Sequence, residues 1–379
     1  MKYETYIFND NLDIRQNFFL TKVVQKYRFY KTLEKEQEPF VHFTVREIEL
    51  LLGSVLYKKR LGELITKGFI KRFPIKKNIF GHQVYGLIPL VTTYKRIKMY
   101  NKVMASYYDR KKANLSKIAR KVYVNICHAE FDLSNVNLDA LSDSMWTRYS
   151  SIKKSGLKRE EYDEYLQLTL ERIVEYSSMN KTERVEHVSE DKFGNRLHSI
   201  FTSIPRELRQ HIKLWGEDTT EIDLKQSQPT ILATILEETI GENSFTNFIK
   251  SGNDVYSLLH ENRNVGKKIM YNVLFGERTP KQIKKLFPDV WETINSLKWT
   301  KQPLNPSPKP YANLAYILQQ RESKIFRILW DKLLKYRIAF VPIHDSIIIQ
   351  NKHLTNAISI MNDTLSKHII RVELGISMS

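Results

Sequence analysis

The sequence has a single cysteine, Cys127, among its 379 residues. This excludes an internal disulfide and any cysteine-rich zinc site. His128 follows directly, but no further ligands lie at zinc spacing, so we expect both residues in a core. No apolar run reaches the roughly 18 residues that a membrane-spanning helix needs, and charges stand where a signal peptide would have its apolar stretch. The expectation is a soluble, intracellular (cytoplasmic) protein with no membrane partner.

Acidic residues are scarce relative to basic ones, with 42 Asp and Glu against 60 Lys and Arg, a net charge of +18. Such an excess attracts polyanions, because neutralised phosphates release their condensed counterions. Charge therefore favours a nucleic-acid partner over a basic surface that only prevents aggregation. The sequence also lacks internal repeats and long low-complexity tracts, and its length allows two or three compact units.

Residues 37–92 read as two helices followed by a β-hairpin. Thr44 and Glu47 have capping-box spacing before an apolar helix, and a second amphipathic helix precedes the strand-like stretches FIKRF and QVYGLI. This order resembles a winged helix-turn-helix, whose second helix would enter a DNA major groove. The cations expected near phosphates are Lys58, Lys59, Arg60, Lys71 and Arg72. A winged helix used for protein contacts, or a chance helix and hairpin, remains an alternative.

The segments on either side of this module carry weaker signals. Residues 1–36 show no clear period and form an N-terminal segment. Residues 93–195 read as helical and are strongly basic at first, with tyrosines between the Lys and Arg residues. That composition suits a surface that follows a nucleic-acid backbone, and it equally suits solvated helix faces with tyrosines packed inward.

Two aspartates stand at predicted strand ends. Asp223 precedes an apolar helix, and Asp345 lies near the tip of a predicted β-hairpin over residues 339–349. A lone aspartate is more often a cap or a turn residue. Two carboxylates that meet in space, however, could hold a pair of divalent cations about 3.5–4 Å apart, as phosphoryl-transfer sites do.

A predicted helix between these aspartates carries functional residue types at every fourth position: Arg263, Lys267, Tyr271 and Phe275, followed by Gly276. Residues four apart share one face of a helix. Two cations followed by two rings would suit a nucleoside triphosphate, and Lys267 could help to neutralise or protonate the pyrophosphate. An amphipathic helix with solvated cations and core aromatics is the alternative.

Together these segments resemble motifs A, B and C of the family A (DNA polymerase I-like) DNA polymerases and the phage-type single-subunit RNA polymerases. Asp223 matches the metal-binding aspartate of motif A, and His344, Asp345 and Ser346 match motif C. The helix over residues 263–276 matches motif B. The stretch GNRLHS resembles the family's Gly-Arg-Leu segment, and the resemblance covers residues 196–379.

The resemblance implies an α+β fold: a right-hand polymerase palm with an antiparallel sheet and short helical fingers over residues 196–379, a helical thumb-like segment over 93–195 and the winged helix. It implies that Asp223 and Asp345 bind two Mg²⁺ ions, with Mn²⁺ as a substitute, and that Lys267 is catalytic. The nucleotide-binding residues would be Arg263, Lys267, Tyr271, Phe275, Gly276 and Gln228. The residues facing a DNA primer–template would be Arg196, Gln319, Gln320 and His344.

The chain departs from the family at several positions. Gln228 stands where the DNA polymerases have a glutamate that excludes ribose, and Phe275 replaces a tyrosine. Tyr271 favours DNA synthesis, whereas Ser346 is typical of the RNA enzymes. Glu322 suits either the metal site or a helix ion pair, and we expect the ion pair.

We expect a small DNA polymerase without an exonuclease, of a kind suited to a mobile element, plasmid or phage. A single-subunit RNA polymerase or primase remains open. A DNA-binding replication initiator with an inactive palm is the alternative from another class.

Overall fold

The computed structural model describes residues 3–9, 11–31, 41–73, 76–77, 83–91, 95–99, 102–134, 136–152, 159–300, 307 and 309–378. Helices and antiparallel strands are mixed along this part of the chain, which confirms an α+β fold. No helix within the described ranges is both long and apolar enough to cross a membrane.

The strands pair into two larger and two small sheets. In chain order they are β1 (Tyr3–Ile7), β2 (Val41–Thr44), β3 (Ile70–Arg72), β4 (Lys76–Lys77), β5 (Gln83–Pro89), β6 (Lys95–Met99), β7 (Ala129–Phe131), β8 (Ser189–Glu190), β9 (Leu197–His198), β10 (Ile212–Leu214), β11 (Glu217–Leu224), β12 (Phe340–Ile343), β13 (Ser346–Gln350) and β14 (Leu374–Met378).

The α-helices range from single turns to long amphipathic helices. They are α1 (Ile14–Lys31), α2 (Val45–Leu52), α3 (Tyr57–Thr66), α4 (Lys102–Ala113), α5 (Lys117–Ile126), α6 (Leu138–Ile152), α7 (Arg159–Ser178), α8 (Ile200–Ser203), α9 (Arg206–Arg209), α10 (Ser227–Ile240), α11 (Ser244–Lys250), α12 (Val255–Leu259), α13 (Arg263–Phe275), α14 (Lys281–Leu286), α15 (Trp291–Lys298), α16 (Asn313–Lys335) and α17 (Leu354–Leu365).

The chain forms two compact units. The first contains residues 1–114, 142–146 and 154–186, and the second contains 115–141, 147–153 and 187–379. These units do not follow the predicted divisions at residues 92 and 195, because the basic helical segment contributes to both of them. The predicted boundary at residue 36 lies outside the described residues.

The first unit is built around α1, which the sequence prediction missed. The sequence of α1 shows no helical periodicity because apolar and polar residues are buried alike along this stretch. The buried residues are Phe18, Phe19 and Leu20 together with Asn17, Thr21 and Lys22. A helix that is buried on most sides shows no amphipathic pattern. Lys22 is tolerated there because its Nζ donates a 2.8 Å hydrogen bond to Glu186.

The predicted helix, helix and hairpin over residues 37–92 are present. Ile48, Leu51 and Leu52 of α2 and Leu61 and Leu64 of α3 are buried at helical spacing, and β5 pairs with β2, β3 and β4 in one antiparallel sheet. The turn of the hairpin at residues 78–82 lies outside the described residues.

The prediction that the basic segment from residue 93 is helical is wrong at its start. Residues Lys95–Met99 form β6, which pairs antiparallel with β1, and helix begins only at α4. The sequence KRIKM alternates cationic and apolar residues, a period of two that suits a strand.

The second unit contains the sheet that carries the two aspartates. Its strand order is β12-β13-β11-β10-β7, with β14 also paired to β11. The predicted hairpin of β12 and β13 is confirmed, and Pro342 lies in β12 at the end of this order, where a strand tolerates a residue without an N–H donor. Helix α10 follows β11 after Gln226, which has a left-handed φ of 50°. Pro229 then falls in the first turn of α10, where no intrahelical donor is lost.

Candidate active site

Asp223 and Asp345 lie at neighbouring positions of paired strands. In the register of β11 and β13, Asp223 is opposite Ser346, the residue after Asp345. The backbone N–H of Leu224 also donates a 3.1 Å hydrogen bond to the carbonyl oxygen of Asp345. The backbone thus places Asp223 and Asp345 at neighbouring positions, and the charge of Asp223 is among those that raise the pKa of Asp345.

The turn that presents Asp345 has two residues. Ile343 pairs with Ser346, so only His344 and Asp345 connect β12 to β13. His344 has a φ of 53°, whereas Asp345 has no positive φ, and this combination is typical of a type II′ turn. Glycine usually occupies that first position, and a histidine there costs roughly 1–2 kcal/mol. Such strain is often found at functional sites.

Gly375 on β14 leaves the space that the Asp223 carboxylate occupies. The two residues are opposite each other in the β11–β14 register. A Cβ on Gly375 would lie 2.4 Å from Asp223 Oδ1 and 3.1 Å from its Cγ. Sequence reasoning assigned no role to Gly375, although a glycine inside a strand often marks such a close approach.

Glu322 on α16 is a third acidic residue at this site and is only 2% exposed. Arg196 Nη2 donates to Glu322 Oε1 at 2.5 Å, so Glu322 forms an ion pair, although its partner lies outside α16 and not within the helix. The amide of Gln228 also donates to Oε2, and the hydroxyl of Ser227 lies 3.4 Å from the same oxygen. Gln228 at the start of α10 is therefore held by a buried carboxylate from another helix.

Burial and neighbouring acids raise the proton affinity of Asp345. Burial raises the pKa of Asp345 to about 7, and the negative charges of Glu322 and Asp223 contribute to the increase. Burial also raises the pKa of Glu322, against the opposing effect of Arg196. A cation bound between the two aspartates would relieve this repulsion.

The exposed face of α13 carries the predicted residues. Arg263, Lys267 and Tyr271 are exposed, Phe275 is half-buried, and the Tyr271 and Phe275 rings lie 5.6 Å apart. Tyr271 is 47% exposed, so it is not a core aromatic. Burial of its hydroxyl and the charge of Asp345 raise the pKa of Tyr271, so this face lies within electrostatic range of the carboxylates.

Two contacts fix α13 at its ends. A Cβ on Gly266 would lie 1.8 Å from the carbonyl oxygen of Tyr256, so only glycine lets α12 approach this closely. At the other end, the fully buried Lys298 donates to the carbonyl oxygens of Asn272 at 3.1 Å and Gly276 at 2.8 Å. Sequence reasoning missed both residues, since each depends on a contact between separate helices.

Some predicted residues have partners within the protein. Arg263 Nε donates to Asp254 Oδ2 at 2.6 Å, and its guanidinium lies 4.9 Å from the Tyr256 ring. Gln320 donates to the carbonyl oxygen of Phe193 at 2.6 Å. Gln319 packs on Gly194, whose Cβ would lie 2.5 Å from Gln319 Oε1. Both glutamines thus contact the turn between β8 and β9, which also carries Arg196.

Several buried polar atoms at the site have no hydrogen-bond partner: Arg196 Nε, Gln228 Oε1 and His344 Nδ1. Buried polar atoms are nearly always paired, so a concentration of unpaired ones suggests a ligand or water. Burial and the nearby Arg196 lower the pKa of His344 to about 4, so the imidazole is neutral at pH 7 and can accept a hydrogen bond.

The predicted DNA-binding cations are divided between surface and internal positions. Lys58 and Lys59 on α3 are exposed, as are Lys71 and Arg72 on β3. Arg60 instead donates to Asp13 Oδ2 at 2.6 Å and to the carbonyl oxygen of Leu52 at 2.7 Å. Arg60 therefore links α3 to the end of α2, and the other four cations form the surface set.

The donor set at Asp223 and Asp345 fits Mg²⁺. Carboxylate oxygens suit this ion, which is usually held by one or two carboxylates together with waters and substrate phosphates. No group of three or more metal-binding side chains comes together among the described residues. No protein-family model and no curated protein sequence matches the chain, so its function is inferred from this geometry.

Proposed function

We propose that the chain is a template-directed nucleotidyltransferase, a small DNA polymerase that extends a DNA primer with deoxynucleoside triphosphates. The observation that carries this proposal is that Asp223 and Asp345 lie on neighbouring strands and that the charge of Asp345 acts on Tyr271, on the exposed face of α13 that also carries Arg263 and Lys267. Two-metal nucleotidyl transfer requires carboxylates and triphosphate-binding cations in such proximity.

In this proposal, β11, β12 and β13 act as the palm, and α12 to α15 act as short fingers. Asp223 and Asp345 hold Mg²⁺, which when bound activates the primer hydroxyl and stabilises the leaving pyrophosphate. Lys267 neutralises charge on the leaving group from the exposed face of α13, while Tyr271 and Phe275 offer rings to the sugar and base.

Gln228 and Glu322 form the proposed wall beside the sugar. The family resemblance puts a glutamate at the place of Gln228, whereas here the Gln228 amide is bound to the carboxylate of Glu322. A buried carboxylate, that of Glu322 on α16, is therefore still present beside Gln228. This arrangement supports deoxyribonucleotides as the substrates.

The helices and strands over residues 41–89 support a DNA-binding module of the winged-helix kind. They have the order β2, α2, α3, β3, β4, β5, and α3 and β3 carry exposed cations that could contact phosphates. This module would hold the chain on DNA while the aspartate pair acts on the primer end.

The test is primer extension with Mg²⁺, comparing deoxyribo- and ribonucleotides, by the wild type and the variants D223N and D345N. Either variant should abolish extension while DNA affinity stays within about twofold, since only metal ligands are lost. The matched control is D218N, which changes an exposed aspartate of the same strand and should leave extension unchanged. Extension by D223N or D345N at the wild-type rate would overturn the proposal.

A second candidate is a DNA-binding protein without catalysis. It is favoured by one observation, that no group of three or more His, Cys, Asp or Glu side chains among the described residues could hold a metal ion. In that case the wild type would bind DNA but add no nucleotide of either kind. Extension with ribonucleotides alone would identify an RNA polymerase or primase, the class indicated by Ser346.

A further inference from the structure

The turn between β10 and β11 holds an exposed tryptophan in an unfavourable backbone conformation. Leu214 pairs with Glu217, so Trp215 and Gly216 are the only turn residues. Their φ values are 56° and 80°, the pattern of a type I′ turn, in which asparagine or glycine normally comes first. A bulky residue at positive φ is an outlier, and such outliers are concentrated at ligand-binding sites.

Trp215 is stacked on His128. The two ring centroids are 3.5 Å apart and the rings are 10° from parallel, while Trp215 remains 49% exposed. His128 is fixed by its Nδ1, which lies 2.7 Å from the carbonyl oxygen of Val124 and must therefore carry the proton. The backbone N–H of Trp215 donates a 3.2 Å hydrogen bond to the carbonyl oxygen of His128. The indole is thus a rigid platform with solvent access.

A basic stripe leads along α5 to this platform. Lys117, Arg120 or Lys121, and Val124 are exposed and lie three or four residues apart, so they share one side of the helix, and His128 follows just after the helix ends. The rise of a helix puts the cations roughly 8–14 Å along the axis from the C-terminal end of α5. The Nζ atom of Lys121 lies 3.7 Å from Asp331 Oδ1, near the upper limit for an ion pair.

Three acidic residues beside the platform are paired with lysines. Lys352 lies 2.5 Å from Glu217, and Lys213 lies 2.8 Å from Asp132 and 3.9 Å from Asp218. These lysines offset the negative charge of the three carboxylates.

We propose that Trp215 stacked on His128, together with the basic stripe of α5, binds single-stranded nucleic acid. Proteins that hold single strands combine cations along the backbone with aromatic rings on which bases stack. This surface contains neither Asp223 nor Asp345, so it goes beyond the proposed reaction and can be tested without it.

The test uses the full chain and a thymidine oligonucleotide of about 20 nucleotides that contains 5-iododeoxyuridine, without metal or nucleoside triphosphate. Irradiation should cross-link the oligonucleotide to the peptide that contains Trp215. Fluorescence anisotropy should give a Kd about five- to a hundredfold weaker for W215A, the range expected for the loss of one stacked base. W299A, at a tryptophan that is 46% exposed and has an ordinary φ of −108°, should leave the Kd unchanged.

The variant W215N separates binding from a structural role. Asparagine suits the turn, so W215N should bind the oligonucleotide as weakly as W215A while its Tm stays at or above that of the wild type. Loss of Tm in W215N with unchanged affinity, or cross-links only elsewhere, would overturn the proposal. Failure of D223N and D345N to lose primer extension would not affect it, because the surface is independent of that site.

Discussion

At the scale of single residues, the position of the Asp223 carboxylate depends on the absence of a side chain at Gly375. The close approach of these residues across β11 and β14 leaves no room for a methyl group. The atoms that would have to move are the carboxylate oxygens themselves, which rotate more easily than a backbone shifts. An added methyl group should therefore disturb the site more than the fold.

We predict that G375A lowers Mg²⁺-dependent primer extension about a hundredfold, because displacement of a reacting group by about 1 Å can cost that much. The free energy of unfolding should fall by less than about 2 kcal/mol, within the usual range for point mutants. Steady-state extension and urea denaturation measure the two effects. The control is G62A on α3, where an added Cβ meets nothing within 4 Å. Full activity in G375A would show that the Asp223 position is not critical.

The positions of Asp223 and Asp345 at strand ends were predictable from sequence, whereas the residues that contact them were not. Asp345 follows a short apolar run and precedes another, which predicts a hairpin tip. Gly375 contacts Asp223 through the register of β11 and β14, and Glu322 reaches Arg196 and Gln228 through the packing of α16. No local sequence pattern predicts these contacts. The sequence left two roles open for Glu322, and the structure provides the ion pair with Arg196.

At the scale of secondary structure, α13 combines an exposed functional face with a tightly fixed C-terminus. The carbonyl oxygens at its end need donors, because the last turn of a helix has no intrahelical partners for them. Lys298 supplies these donors from α15 while fully buried. Burial lowers the pKa of Lys298 to about 8.

This lowered pKa predicts a pH-dependent contribution to stability. Between pH 8 and 10.5 the unfolded chain holds the Lys298 proton and the folded chain loses it, so the free energy of unfolding rises with pH. Below pH 8 both states are protonated and this contribution is constant. The difference in stability between wild type and K298M should therefore be flat below pH 8 and grow above it, by up to about 3 kcal/mol.

Urea denaturation from pH 6 to 10.5 measures this difference. The same substitution at the exposed Lys324 of α16 is the matched control for the loss of a lysine. Parallel pH profiles for the wild type and K298M would contradict the assignment of the shift to Lys298.

Helices and strands were predictable where one face is buried and the other solvated. Helices α2, α3 and α13 have such faces, and their predictions are confirmed. Helix α1 is buried on most sides and has no period, so it was missed. Strand β6 was predicted as helix because the segment is rich in basic residues, although cationic and apolar residues alternate from Arg96 to Met99.

At the scale of the whole molecule, the net charge of +18 indicates a polyanionic partner but not its place on the protein. The two compact units were not predictable as contiguous segments. Residues 142–146 and 154–186 belong to the first unit, while 115–141 and 147–153 belong to the second. A chain that passes repeatedly between units leaves no single shift in composition at a boundary.

The central claim is that Asp223 and Asp345 together bind divalent cations for nucleotide addition. Electron paramagnetic resonance of Mn²⁺ tests it most directly, with wild type, D223N, D345N and D218N each titrated with Mn²⁺ alone and with a deoxynucleoside triphosphate. We predict protein-bound Mn²⁺ in the wild type and D218N, strengthened by the nucleotide, and at least tenfold weaker binding in D223N and D345N. Equal Mn²⁺ affinity in all four proteins would contradict the account.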